Sequence, residues 1–337
     1  MEQVKLNVKL RSDFTLCRMA KLRSELYTAE SEFGSKACVY ATGSYGRGEA
    51  GKDSDLDLFI ASETIQVNRE GRDKVRALNN LSEIVLKANL IHSTRRIGLP
   101  EFDGDGEYLR CYTIEDLVKS LGRPEDDQLN TFTARLLLLL ESKPVLGDGV
   151  YGHVVEDVIA AYWRDYQDHK EEFIPSFLIN DILRLWRTFC VNYEARTKTS
   201  PPEMKNKRRV KNYKLKHSRM LTCYSAILEL VALCRRQGTV HPSDFEEVVG
   251  RTPIQRIERL MAAEDCSDAH DELRELLQAY EMFLERTAVG GAALAEEFGN
   301  NETHSVYMGE ANEFGNKIYS ALRSVGGVTP LYRHLVV

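Results

Sequence analysis

The segment ATGSYGRGEAGKDSDLDLFIAS, residues 41–62, places four glycines between two apolar, β-prone runs. The run before it, KACVYA, and the run at its end, LDLFIA, both have the composition of β-strands, so the segment predicts a strand–turn–strand hairpin. On the second strand, alternation places Asp55 and Asp57 on one face, with Leu56 and Leu58 on the other. Two neighbouring carboxylates repel each other unless a cation lies between them, so the pair indicates a cation site.

The residue types around this turn suit the transfer of a nucleotidyl group. Gly43 and Ser44 can bring backbone N–H groups and a hydroxyl close to a phosphate, because glycine has no side chain in the way. Asp55 and Asp57 are predicted catalytic metal ligands, because Mg²⁺ or Mn²⁺ binds carboxylates together with substrate phosphates. Arg47 has two equally weighted interpretations, a phosphate contact or an ion pair with Glu49 inside the turn.

These motifs resemble the polymerase-β-like nucleotidyltransferase superfamily. In that family a Gly-Ser or Gly-Gly pair precedes an Asp-hydrophobic-Asp motif by about ten residues, and here ten residues separate Ser44 from Asp55. The sequence GSYGRGE followed by SDLD is most similar to the nucleotidyltransferase domain of the bacterial nitrogen-signalling uridylyltransferase. The resemblance implies a mixed sheet, metal binding by Asp55 and Asp57, phosphate contacts by Gly43 and Ser44, and a helical companion domain.

A third carboxylate usually completes such a site. Glu107 is the favoured catalytic candidate because it opens a strand-like run, and a solvent-facing loop position is its equally weighted alternative. The other candidates are Asp103, Asp105, Asp126 and Asp127.

Residues 205–219, KNKRRVKNYKLKHSR, carry eight Lys or Arg residues and no acid. A solvated helix face is the first interpretation. If the helix is regular, Lys211, Lys214 and Ser218 share a face, and Lys214 and Ser218 then become candidate nucleotide contacts across a cleft. Contact with an RNA acceptor is the third interpretation.

The periodicity predicts an α+β protein of two domains. Residues 1–150 are predicted to form a small mixed β-sheet with flanking helices, and residues 151–337 an all-helical domain. The resemblance implies that the first is the nucleotidyltransferase domain and that the second closes the nucleotide cleft. The predicted elements include helices over 14–33 and about 70–91, a strand over about 107–113, and a helix at TIEDLVKSL capped by Thr113. The apolar helix that contains RLLLLLE is followed by KPVLGD, in which Pro and Gly end it.

The bulk composition limits the setting. A net charge of −6 over 337 residues is unlike a general nucleic-acid coat, and seven cysteines without a C-x-x-C pair argue against a disulfide framework or zinc site. The polar N-terminus and the short apolar runs favour the cytoplasm, with no membrane partner.

The sequence therefore predicts a Mg²⁺-dependent nucleotidyltransferase that moves a nucleoside monophosphate from a nucleoside triphosphate to a hydroxyl on protein, RNA, a nucleotide or a small molecule, releasing pyrophosphate. Its role is regulatory, toxin-like or defence-associated. The alternatives are a non-catalytic nucleotide sensor and, last, an RNA-binding accessory protein. The sequence leaves the base, the acceptor and the oligomeric state open.

Overall fold

The computed structural model describes residues 6–66, 74–102, 109–198, 201, 204–327, 329, 331 and 335. The chain divides into two compact units. One unit is Lys9–Tyr162, and the other is Trp163–Val337 together with Met1–Val8.

The strands are β1 (Ala37–Thr42), β2 (Asp57–Ser62), β3 (Thr64–Gln66), β4 (Lys74–Arg76), β5 (Cys111–Thr113) and β6 (Lys143–Leu146). The helices up to Tyr162 are α1 (Leu6–Glu25), α2 (Tyr27–Phe33), α3 (Gly43–Arg47), α4 (Asn80–Arg96), α5 (Ile114–Lys119), α6 (Glu125–Gln128), α7 (Thr131–Glu141) and α8 (Asp148–Tyr162). The later helices are α9 (Ser176–Lys198), α10 (Lys205–Lys214), α11 (Met220–Gln237), α12 (Pro242–Gly250), α13 (Pro253–Ala262), α14 (His270–Arg286), α15 (Gly291–Glu297) and α16 (Asn301–Gly326).

The N-terminal unit is built on a four-stranded sheet in the order β5-β2-β1-β6. β1 is antiparallel to both β2 and β6, whereas β5 is parallel to β2. All six residues of β1 are buried, which explains its near-continuous apolar sequence. Strands β3 and β4 form a separate antiparallel pair. The predicted mixed sheet is therefore confirmed.

Strand β6 was not expected from the sequence. Its segment, KPVLGD, was predicted only to end the preceding helix, but Lys143–Leu146 pairs with β1 at one edge of the sheet. Proline is tolerated in an edge strand because its missing N–H need not pair with a neighbour. The strand is also only four residues long, too short to show a period of two.

Local end signals account for where several helices begin. Thr113 caps α5 through a capping box with Asp116, as predicted. The helix predicted over about 70–91 is α4, which begins later because the Asn79 side chain accepts a hydrogen bond from the Ser82 N–H. The predicted strand at about 107–113 is observed as Cys111–Thr113, and residues 103–108 lie outside the described part of the chain.

From Trp163 onward the described chain is helical, so the predicted fold class, a small mixed sheet followed by a helical region, is confirmed. The helix α8 spans the predicted domain boundary at residue 150 and lies in the N-terminal unit, and the boundary itself stays a prediction. None of the helices in the described residues is both long and apolar enough to span a membrane.

Candidate active site

The glycine-rich segment forms a short helix and a loop instead of a tight hairpin. β1 ends at Thr42, Gly43 adopts a φ of 66°, and α3 then runs to Arg47. Gly48, with a φ of 73°, ends α3 and donates its N–H to the carbonyls of Ser44 and Tyr45. The turn was recognisable from its glycines, but a helix of five residues leaves no periodic signal in the sequence.

Asp57 lies directly against this turn. It is the first residue of β2, stands opposite Thr42 in the antiparallel register, and is half-buried. A Cβ atom placed on Gly43 would lie 2.8 Å from the Asp57 Oδ2 atom. The space that this glycine leaves is therefore on the same side of the turn as the Asp57 carboxylate.

Asp55 lies in the loop just before β2 and is exposed. The sequence placed it on the strand itself, and this detail is wrong because the strand begins at Asp57. The alternation is otherwise as predicted, since Leu56 and Leu58 are buried in the core of the N-terminal unit. The two aspartates thus flank a buried leucine, and both are left outside the core.

A buried ion cluster holds the turn in place. The Arg47 guanidinium lies between two carboxylates. Its Nε atom is 2.8 Å from Glu49 Oε2, and its Nη1 atom is 2.8 Å from Glu141 Oε2. The other oxygen of Glu141 accepts the Gly43 N–H at 3.0 Å. Of the two interpretations of Arg47, the structure contains the ion pair with Glu49, and the guanidinium is buried between two carboxylates. Gly43 likewise uses its N–H within the protein.

Glu141 is the residue of this cluster that the sequence did not reveal. It is the last residue of α7, after the run RLLLLL, and its side chain is completely buried. The available signal was an acid directly after five consecutive leucines, because an acid buried at such a position needs a partner.

Three hydroxyl groups at the turn have no partner in the described protein. The Thr42 Oγ1 and Tyr45 hydroxyl oxygens are buried and form no hydrogen bond there. The Ser44 hydroxyl is half-buried and likewise makes no hydrogen bond within the described residues. Burial raises the pKa of the Tyr45 hydroxyl, which also senses the charges of Arg18 and Asp55. Because an unsatisfied buried hydroxyl costs about 1–3 kcal/mol, this arrangement suits a site that receives a polar ligand.

Asp126 has a structural role. Its carboxylate is fully buried and forms a bidentate ion pair with Arg135. The Arg135 Nη1 atom lies 2.9 Å from Oδ1, and the Nη2 atom lies 2.5 Å from Oδ2. It also accepts hydrogen bonds from the hydroxyls of Ser120 and Thr131. Asp126 is therefore already satisfied by protein groups, and it does not complete a metal site.

The remaining candidates for a third carboxylate stay predictions. Glu107, Asp103 and Asp105 lie outside the described residues. Asp127 is exposed within α6. Among the described residues, no group of three or more His, Cys, Asp and Glu side chains is placed to hold a metal ion.

The pair Asp55 and Asp57 nevertheless fits a magnesium ion that substrate phosphates help to bind. Mg²⁺ usually retains several waters and takes one or two protein carboxylates together with phosphate oxygens. The Asp57 carboxylate beside Gly43 and the exposed Asp55 carboxylate two residues earlier are the oxygen donors that would hold such an ion.

Lys214 and Ser218 do not share an exposed helix face. Residues Leu215–Arg219 form a π-helical turn, which changes the angular spacing that the prediction assumed. Lys214 is exposed, but Ser218 is buried and its hydroxyl donates to the Lys214 carbonyl at 2.8 Å. The Ser218 hydroxyl is therefore used within the helix and is not exposed beside Lys214, and both nucleotide contacts stay predictions.

Comparison with known proteins identifies one family. Searches of curated proteins and of solved structures gave no match. A search against protein-family models gave a match, which supports nucleotidyl transfer as the activity class of the N-terminal unit. Residues 20–129, which include Gly43, Asp55 and Asp57, match the family model of the nucleotidyltransferase domain.

Proposed function

We propose that this protein is a Mg²⁺-dependent nucleotidyltransferase that transfers a nucleoside monophosphate from a nucleoside triphosphate to a hydroxyl group and releases pyrophosphate. The observation that carries the proposal is the position of the Asp57 carboxylate directly against Gly43, where a Cβ atom would lie 2.8 Å from Oδ2, inside a segment that matches the nucleotidyltransferase domain family. The GSYGRGE sequence also supports a closer relation to the nucleotidyltransferase domain of the bacterial nitrogen-signalling uridylyltransferase.

In this proposal Asp55 and Asp57 hold the metal. A bound divalent ion would supply positive charge that stabilises the triphosphate and the leaving pyrophosphate. Ser44 donates its hydroxyl to a phosphate oxygen, while Gly43 keeps the path to Asp57 clear of side-chain atoms. Arg47 and Glu141 act indirectly, since they hold the turn that carries these groups.

The acceptor is a protein side chain, an RNA 3′ end, a nucleotide or a small molecule, and a regulatory, toxin-like or defence role is compatible with each. A nucleotide sensor without catalysis is the second candidate. It is favoured by one observation, the lack of a third carboxylate beside Asp55 and Asp57 among the described residues. Catalysis normally needs a base or a metal arrangement that activates the attacking hydroxyl.

The test is incubation of the purified protein with each of the four α-labelled nucleoside triphosphates, Mg²⁺ and cell lysate. We expect label to enter a macromolecule or a small product with one preferred base. The Asp55→Asn and Asp57→Asn double variant should lose at least a hundredfold of this activity, because its amides no longer supply the charge that binds the metal.

Asp53→Asn is the matched control, because Asp53 is exposed in the same loop and undergoes the same chemical change. Transfer that persists in the double variant would refute the assignment of the metal ligands. Nucleotide binding without transfer to any acceptor would identify the sensor instead.

A further inference from the structure

A basic groove lies in the C-terminal unit and is lined by a different set of residues from those assigned to the candidate active site. One wall is α10, from which Lys205, Arg208, Arg209 and Asn212 line the cavity. These residues are spaced at i, i+3, i+4 and i+7, so they form a single stripe along the helix. The stripe is a different set of positions from Lys211, Lys214 and Ser218, which the sequence had singled out.

The second wall is the end of α9. Val191, Glu194, Ala195 and Lys198 line the cavity at the same i, i+3, i+4 and i+7 spacing. His304 near the start of α16 contributes the remaining side. The cavity has a volume of about 660 Å³ and is open to solvent. Two helix stripes therefore line one open cavity.

The groove carries an excess of positive charge in a chain whose net charge is −6. Among the described lining residues there are four Lys and Arg side chains and one carboxylate, that of Glu194. Within the described part of the chain, Lys198, Lys205 and Arg209 form no ion pair. The Arg209 guanidinium donates instead to neutral oxygens of Phe298 and Asn301, at 2.8 and 3.0 Å, which fix its position without cancelling its charge.

The pKa of His304 is consistent with an excess of positive charge in the groove. Its pKa is lowered, first by burial and then by the charges of Arg209 and Lys205. A neutral imidazole beside several cations adds a hydrogen-bonding group but no further charge. The positive charge of the lining side chains therefore suits an anionic ligand.

We propose that this groove binds the phosphate backbone of single-stranded RNA. The stripe on α10 extends over seven residue intervals, about 10 Å, which matches several consecutive phosphates and exceeds one phosphate group. Arginine suits this role because its planar guanidinium can contact phosphates through two N–H groups and can stack on bases.

A single strand fits better than a duplex because the groove also presents an aromatic ring. Tyr193 lines the cavity, and its hydroxyl is held by the Arg208 carbonyl at 3.2 Å. Base stacking on an aromatic side chain requires a base that is free of its complement. The proposal does not depend on nucleotidyl transfer, since it involves none of the residues assigned to the active site.

The test is fluorescence anisotropy with the full-length protein and a fluorescein-labelled single-stranded RNA of about 12 nucleotides, at salt concentrations of about 50 to 200 mM. The groove variant is Lys198→Glu with Lys205→Glu, since both side chains are exposed. The matched control is Lys207→Glu with Lys211→Glu, which makes the same charge change at exposed positions of α10 outside the groove.

We expect the groove variant to bind RNA at least about tenfold more weakly. The slope of log K against the logarithm of the salt concentration should become shallower by about 1.4, which is about 0.7 for each lost phosphate contact. The control should change affinity by less than about threefold. Circular dichroism checks that both variants are folded. If charge reversal unfolds the groove variant, Lys198→Gln with Lys205→Gln replaces it.

Equal losses in the two variants, or no RNA binding by the wild type at low salt, would overturn the proposal. Tight binding of inorganic tripolyphosphate without RNA binding would also overturn it, because the groove would then be a site for free polyphosphate. The Asp55→Asn and Asp57→Asn variant should bind RNA as the wild type does. Loss of transfer together with retained RNA binding separates this proposal from the proposed function.

Discussion

At the residue scale, Arg47 decides whether the glycine turn keeps its shape. Its guanidinium joins Glu49, two residues away, to Glu141 at the end of α7. All three side chains are nearly or fully buried, so each charge depends on the others for its stabilisation. Such a cluster costs desolvation to form, and its removal leaves charges without compensation.

We therefore expect Arg47→Met to lower the free energy of unfolding by about 3–5 kcal/mol, because two buried carboxylates lose their cation. Urea denaturation measures this change. Arg23→Met is the control, since Arg23 pairs with Asp148 at the surface, with side chains 40% and 60% exposed. Its cost should stay below about 1 kcal/mol. Similar costs for the two variants would contradict the role given to the buried cluster.

His217 makes stability depend on pH. It is buried in the C-terminal unit, stacked 4.6 Å from the Phe283 ring, and burial lowers its pKa to about 4. Because the fold favours the neutral imidazole, its contribution is fully present above the unfolded pKa of about 6.5. The contribution declines as the pH falls towards 4, by about 3 kcal/mol in total.

The measurement is the free energy of unfolding of the wild type and His217→Gln at several pH values between about 4 and 7. We expect the difference between the two proteins to shrink as the pH falls, since only the wild type must bury a charged imidazole. His92→Gln, at an exposed position, is the control. A pH-independent difference between wild type and His217→Gln would show that burial of this ring does not control its protonation.

At the scale of elements, the contact between α3 and α7 depends on Gly46. A Cβ atom at this position would lie 1.8 Å from the Glu141 carbonyl oxygen, which belongs to the backbone and cannot move aside. The absent side chain thus allows α3 to lie against the end of α7, where Glu141 accepts the Gly43 N–H. The geometry of the turn and the position of α7 are therefore set together.

Gly46→Ala should destabilise the protein by about 1–3 kcal/mol, the range for forced overpacking, and should reduce nucleotidyl transfer because the turn beside Asp57 moves. Thermal unfolding and the labelling assay measure the two effects. The control is Gly152→Ala within α8, where a Cβ meets no atom within 4 Å and alanine favours the helix. An unchanged Gly46→Ala protein would show that α3 and α7 have room to separate.

At the scale of the whole molecule, nucleotide binding should stabilise the fold. A ligand at about 100 times its dissociation constant contributes about 2.7 kcal/mol, which raises the melting temperature of a domain of this size by about 5–10 °C. We expect this shift for a nucleoside triphosphate with Mg²⁺ and its loss with a chelator. An equal shift in the Asp55→Asn and Asp57→Asn variant would place the nucleotide elsewhere.

Features that depend on neighbouring residues can be predicted from the amino-acid sequence alone. Strands β1 and β2, the Thr113 cap of α5, the apolar helix α7 and the helical C-terminal region follow from alternation, capping residues and helical periodicity. The acidic pair and the glycines were visible for the same reason, since their spacing lies within one short segment. The π-helical turn was missed because a single wider turn leaves no periodic pattern.

Contacts between these residues and others far along the chain become visible only in the folded protein. It brings Glu141 to Gly43, 98 positions away, and so gives Arg47 a second buried carboxylate besides that of Glu49. It turns KPVLGD into the edge strand β6, and it joins two helix stripes into one basic groove. The physical reason is that local patterns fix which backbone conformation is favourable, whereas the partner of a buried charge or an edge strand depends on packing between distant segments.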